Sequence, residues 1–228
     1  LAKYHVWVRR RKVHQKPVLN TLMIGLLRRQ KWWQDDERIR NVIASFALPI
    51  EAVLALRAAF DSVNYARGDH IQVDDWLESV GEVSEDRPAY VTWLLDLVDL
   101  QNHSQSHMDF GEYMAMVTTL CMFDKHELLR WVFKAVSGRD TASLDKVGYD
   151  TLVDGLLKHN PLPHARSAFE RLFRQHCLKK SGDIVFGAFC KIADKLPVLT
   201  FTLLRFQGSV MDKNAGRDFW LKKKLQFA

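Results

Sequence analysis

The sequence predicts an all-α protein: four helix–loop–helix units in two pairs, with a short strand in each loop and helical extensions at both ends. Three observations predict it. Between residues 50 and 195 an apolar pattern recurs four times at intervals of 36 to 40 residues, the length that two helices, a loop and a linker need. Between the loops, apolar residues fall at helical spacing, with acidic residues or Pro where helices would start. The balance of 47% hydrophobic and 26% charged residues in a chain of 228 suits one or two buried cores. No stretch approaches the ~20 apolar residues of a membrane span.

The elements follow in order. Residues 1–16 read as an extended segment carrying the run Arg9, Arg10, Arg11 and Lys12. Pro17 opens a helical pattern with Leu19, Leu22, Met23, Leu26 and Leu27 on one face. Asp35, Asp36 and Glu37 suit the cap and acidic first turn of a second helix, whose stripe is Ile39, Val42, Ile43 and Phe46. Pro49 starts the third. The organisation expected is a basic arm with helices at 1–48, a first pair of units at 49–120, a second pair at 121–195 and a helical extension at 196–228.

Each repeat has an apolar residue four before a twelve-residue loop, joined in the first three by another one before it, with an apolar residue at loop position 8 and an aromatic at position 13. The first unit supplies Phe60, Val63, Ile71 and Trp76, with Asn64 opening the loop. The second supplies Leu97, Leu100, Met108 and Tyr113, from Gln101. The third supplies Phe133, Val136, Leu144 and Tyr149, from Ser137, and the fourth Phe173, Ile184 and Phe189, from Cys177. An unpaired loop strand would leave backbone groups unsatisfied. Ile71 is therefore expected opposite Met108, and Leu144 opposite Ile184, in antiparallel pairs. Trp76, Trp93, Trp131, Phe133, Phe173 and Phe189 read as core.

On these residues, 50–195 resemble the EF-hand superfamily in a calmodulin-like, four-hand layout. The segment MDFGEYMAMVTTLCMFDKHELLRWVF is similar to the junction between second and third hands in larger regulatory EF-hand proteins. Those include calcium-linked regulatory subunits of type 2A protein phosphatase and many protist proteins. The tail LPVLTFTLLRFQGSVMDKNAGRDFW resembles the helical C-terminal extension of some protist members. Such a loop binds calcium through oxygens at positions 1, 3, 5, 7 and 12, with Gly at 6. Here the side chains at 1, 3, 5 and 12 are Asn64, Ala66, Gly68 and Asp75, then Gln101, His103, Gln105 and Glu112. The third loop offers Ser137, Arg139, Thr141 and Gly148, and the fourth Cys177, Lys179, Ser181 and Ala188. No loop has carboxylates at both ends, and Arg139 and Lys179 put cations where the metal would sit. The loops are expected to be structural turns, with no metal and no cofactor.

Charge suggests where a partner binds. Residues 1–34 hold nine Lys and Arg and no acid; residues 201–228 hold six basic and two acidic residues; the middle holds 18 basic against 25 acidic. Basic ends of this kind meet something acidic. Trp32, Trp33, Phe219 and Trp220 lie in those ends, as interface anchors or as residues packing the extensions onto the core. The expected partner-binding residues are Arg9, Arg10, Arg11, Lys12, Trp32, Trp33, Trp220, Lys222, Lys223 and Lys224. His103 and His107 read as surface histidines, and Cys121, Cys177 and Cys190 as reduced intracellular thiols. No phosphate-binding glycine loop or nucleophile motif occurs. The first residue is Leu1, not Met, which leaves room for a processed targeting peptide or a preceding segment. The expected function is a non-catalytic scaffold on an acidic protein surface such as tubulin, in the cytoplasm, the cytoskeleton or a cilium axoneme, with neither nucleic acid nor membrane as partner. The alternative is a regulatory or adaptor subunit that docks a target helix, in a phosphatase or in a mitochondrial or other organellar complex.

Overall fold

The computed structural model describes residues 36–65, 68–82, 107–137, 142–157, 165–179 and 181–227, which form ten helices and two small antiparallel sheets. The expected helix at Leu19–Leu27, the Arg9–Lys12 run, Trp32, Trp33, Trp93, Leu97, Leu100, His103 and Arg139 lie outside these residues.

Asp36 opens α1 (Glu37–Phe46) as its N-cap, accepting a hydrogen bond from the Arg38 amide at 2.8 Å. Ile39, Val42 and Phe46 form the buried stripe, and Ala47 ends the helix in the left-handed region (φ 45°). Pro49 stands just before α2 (Ile50–Val63), whose own Phe60 and Val63 point inward. The first loop leads through β1 (His70–Gln72) into α3 (Val73–Ser79). Next come β2 (His107–Asp109), α4 (Phe110–Met122) and α5 (Lys125–Ser137). Both α4 and α5 start with an Asp-x-x-Glu exchange: Asp109 with Glu112, and Asp124 with Glu127. Each exchange satisfies two amides that a helix start leaves unpaired. The second half continues with β3 (Ser143–Leu144), α6 (Lys146–Leu157), α7 (Ala165–His176), β4 (Ile184–Val185) and α8 (Phe186–Lys195). A hairpin of α9 (Val198–Lys213) and α10 (Arg217–Phe227) ends the chain.

The loop strands pair in the register expected from the repeat. Ile71 faces Met108 and Leu144 faces Ile184, both antiparallel. All four side chains are buried, as are the position-13 aromatics Trp76, Tyr113, Tyr149 and Phe189. Each strand pair sets two units back to back, so the entering aromatic of one unit meets the exit aromatic of its partner. Phe60 lies edge-on to Tyr113 at 5.3 Å, Phe133 lies 5.5 Å from Phe189, and Tyr149 lies 4.7 Å from Phe173. Such pairs add to the burial of the rings themselves.

The two halves share one core because α9 runs between them. It packs against α4 of the first half and against α5, α6 and α8 of the second. Leu203, Phe206, Val210 and Met211 are its buried face, and Phe206 meets Trp76 of α3 edge-on at 6.0 Å. Arg205 bridges to the buried Glu82 carboxylate at 2.6 Å, tying the same helix to the segment that follows α3.

Candidate functional site

The loops are the natural place to look for chemistry, because a helix–loop–helix unit that binds metal does so with loop oxygens. In the first loop Asn64 holds position 1 and is buried. Its side-chain amide donates to the Gly68 carbonyl at 2.5 Å, and its side-chain oxygen accepts from the Gly68 amide at 3.2 Å. The oxygen that would face a metal is therefore spent across the loop. In the fourth loop the Leu178 amide donates to Asp183 O at 2.7 Å, and the Gly182 amide to Leu178 O at 2.8 Å. Gly182 closes this turn at φ 78°, a conformation that costs glycine nothing. The Asp183 carboxylate accepts from Ser143 Oγ at 3.2 Å across the sheet.

The third loop is filled sterically. Asp145 caps α6 by accepting from the Gly148 amide at 2.7 Å. Gly148 stands at position 12, and a Cβ there would lie 2.7 Å from Leu144 Cδ1. The space in which a ligating Glu would start is taken by the strand's own leucine.

The second unit keeps a glutamate at position 12, Glu112, and there the chain supplies its own cation. Arg38 reaches from α1 to Asp109 at 2.7 Å and Asp36 at 3.0 Å, with Glu112 at 3.9 Å. Gly111 permits the approach: a Cβ on it would lie 3.0 Å from Asp36 Oδ2 and 3.2 Å from the Arg38 guanidinium. Burial alone would raise the Asp36 carboxyl, but its hydrogen bonds and charge pairing with Arg38 outweigh this, and its pKa falls below the usual value. Burial likewise opposes the Arg38 charge, and the bonds to Asp36 and Asp109 more than restore it. His107 lies beside this unit, with its Nε2 2.6 Å from Gln72 Nε2 across the sheet.

No protein-family model matches the chain, and no curated protein matches it either. Its own side chains therefore carry the functional argument. Among the described residues no group of three or more His, Cys, Asp or Glu is arranged to hold a metal ion. No helix there is long and apolar enough to cross a membrane. The Cys121 thiol is fully buried, and burial pushes its pKa up, which favours the protonated form. Burial also raises the Tyr113 and Tyr149 phenols.

The C-terminal residues expected to meet a partner need correction. Trp220 is 0% exposed and donates its indole N–H to Asn214 O. Asn214 in turn accepts from the Tyr113 hydroxyl, so Trp220 is a core residue that packs the extension. Lys223 is buried, and its ammonium donates to Ala47 O at 2.7 Å, capping α1. Lys224 donates to Phe123 O at 2.6 Å, just past the end of α4. A cation at a helix C-terminus satisfies carbonyls that have no helical partner. Burial lowers the pKa of both lysines, and both ammonium groups are bonded to carbonyls of the chain's own helix ends. Lys222 alone of the three is exposed. Arg9, Arg10, Arg11, Lys12, Trp32 and Trp33 lie outside the described residues. Sequence reasoning missed Arg38 and Gln207, whose partners are distant along the chain. It also missed the helical phase of the tail: Trp220, Lys223, Lys224 and Phe227 fall at i, i+3, i+4 and i+7 and would have signalled an inward face.

Proposed function

We propose that the protein is an EF-hand-type scaffold that holds its shape without calcium and binds other proteins in an assembly. The observation that carries this reading is Arg38 on the carboxylates of Asp109 and Glu112. A guanidinium occupies, from within the chain, the charge role that a divalent cation plays in a calcium-binding hand. The self-bonded loops at Asn64–Gly68 and Leu178–Asp183 support it, because their oxygens are committed to the fold. The apolar surfaces of α4, α5, α6 and α8 meet α9 of the same chain, and nothing specific favours the alternative of docking a partner's helix there.

Calorimetric titration of the full chain with calcium tests the reading. No heat of binding and no change in thermal midpoint are expected up to low-millimolar calcium. A dissociation constant below about a millimolar, the weak end of EF-hand affinities, would sink it. The acidic partner we propose is a cytoskeletal surface of the tubulin type, contacted by the Arg9–Lys12 run. Replacing those four residues by Gln should leave the thermal midpoint unchanged and reduce co-sedimentation with microtubules, more at low salt than at high. Equal co-sedimentation of parent and variant would remove tubulin from the proposal.

A further inference from the structure

The terminal hairpin buries one side and leaves the other bare. Leu203, Phe206 and Val210 of α9 and Trp220 of α10 face the core. On the outside, Phe201 and Leu204 of α9 are 58% and 41% exposed, and Leu221 and Leu225 of α10 are 48% and 76% exposed. Exposed apolar side chains elsewhere, such as Leu54 of α2 and Val147 of α6, stand on separate helices, as single ones do on any protein. Exposed apolar residues that adjoin one another mark a place where something binds.

The four hairpin residues share one seam. A Cβ on Gly208 would lie 2.8 Å from an Arg217 guanidinium nitrogen, so this face of α9 looks at the first turn of α10. Leu204 and Phe201 lie four and seven residues before Gly208, on the same face. Leu221 and Leu225 lie four and eight residues after Arg217, on the face from which Arg217 leaves α10. At ~1.5 Å per residue these steps match. The antiparallel helices therefore set Leu204 beside Leu221, and Phe201 beside Leu225.

The chain carries an apolar strip of matching length. Leu19, Leu22, Met23 and Leu26 recur at i, i+3, i+4 and i+7, the spacing of one helical face. That segment joins the described residues at Asp36. Asp36 sits beside Gly111 in the first turn of α4, and Tyr113 of the same turn bonds Asn214 in the bend between α9 and α10. The chain thus enters α1 level with the closed end of the hairpin. Lys223 bonds Ala47 O, so α1 and α10 are neighbours. Residues 28–35 can span up to ~26 Å when extended, more than the ~20 Å across two helices. Charge does not oppose the approach of Arg28 and Arg29, because the closed end sets Asp212 and Asp218 against Lys213 and Arg217.

We propose that residues 19–26 of this chain dock as an amphipathic helix along the seam from Leu204 and Leu221 to Phe201 and Leu225. The base of the basic arm is thereby tied to the hairpin, and the Arg9–Lys12 run leaves from the open end. Such docking adds a fixed origin for the arm to the scaffold reading and does not depend on that reading.

The test is limited trypsin digestion of the full chain, with products identified by mass. Arg28 and Arg29 adjoin the docked segment, so cleavage there tracks how often the segment lifts off. In the parent it should be at least about tenfold slower than cleavage in the Arg9–Lys12 run. Leu221→Gln with Leu225→Gln should speed it about tenfold, and so should Leu22→Gln with Leu26→Gln. The four changes together should act about as strongly as either pair, since both pairs remove the same contact. Leu54→Gln, on another helix, should leave the rate unchanged. A cooperative thermal transition confirms that each variant is folded. Parent cleavage at Arg28 and Arg29 as fast as in the run, an unchanged rate in the hairpin variant, or multiplication of the two effects would overturn the proposal. Light scattering tests the other occupant: a parent dimer that the hairpin variant dissolves would assign the seam to a second copy of the chain and overturn it as well. Calcium and microtubules play no part in this experiment, so its failure leaves the scaffold reading standing, and tight calcium binding would remove that reading without touching the seam.

Discussion

Gln207→Met tests whether α9 is a permanent part of the fold or a removable passenger. Gln207 is buried, and its side-chain amide donates to Leu120 O at 2.6 Å and to Phe123 O at 2.8 Å, both at the end of α4. Methionine keeps the length of the side chain and removes the donor. Leu120 O would keep only the long bond from the Phe123 amide at 3.3 Å, and Phe123 O would keep Lys224. One nearly orphaned buried carbonyl costs about 1–3 kcal/mol, and the other lost bond about 0.5–1.5 kcal/mol net. A total of about 1.5–4.5 kcal/mol corresponds to a fall of about 3–18 °C in thermal midpoint for a chain of this size. Urea denaturation followed by far-ultraviolet circular dichroism should show a lower midpoint with an unchanged slope. Lys224→Met supplies the second arm of a double-mutant cycle. Because Phe123 O loses its last side-chain donor only in the double variant, the double loss should exceed the sum of the single losses by at least about 0.5 kcal/mol. A change within 0.5 kcal/mol for Gln207→Met, or strict additivity in the cycle, would refute this account of the α4 terminus.

Two further outcomes follow from the tail and the buried titratable groups. Trp220→Ala should cost about 3–5 kcal/mol, whereas Lys222→Gln, two residues on and exposed, should stay within about 0.5 kcal/mol; equal effects in thermal denaturation would mean that α10 is not docked as described. Stability should fall as pH rises above about 9, because Cys121, then Tyr113 and Tyr149, ionise in the unfolded chain near their ordinary values of 9.0 and 10.0 while burial keeps them protonated in the fold. The lowered Lys223 and Lys224 act in the opposite sense below 10.5, where the unfolded chain holds their protons more tightly. Tyr113→Phe should flatten the alkaline limb of a stability–pH curve, and a curve of unchanged slope would count against the burial of that phenol.

The loop strands and the helices that leave them were legible because their signal is local and repeats. An apolar residue at loop position 8 and an aromatic at position 13 are separated by one short turn, and Ile71, Met108, Leu144 and Ile184 take the partners that this spacing implies. The helix starts were legible for the same reason, as Asp36 and Pro49 illustrate. The contacts that define the loops and the tail are of another kind. Arg38 meets Asp109 across 71 residues, Gln207 meets Leu120 across 87, and Lys224 meets Phe123 across 101. No periodicity encodes such pairs. The tail lysines were misplaced because charge was read as composition, although a helix sorts its residues by phase before it sorts them by sign.

The position of α9 and α10 also bears on how the molecule is made. These two helices follow the repeated units along the chain, yet Leu203, Phe206, Val210, Met211 and Trp220 complete the interior. Until they emerge, the nascent chain presents the apolar flanks of α4, α5, α6 and α8 without cover, and such uncovered surface is where partly synthesised chains aggregate. Folding of the earlier helices is therefore completed only once α9 and α10 have been made, with those helices waiting for the hairpin that closes them. A stop ahead of α9 would yield a chain without a finished interior, a substrate for proteolysis instead of a shortened but working protein.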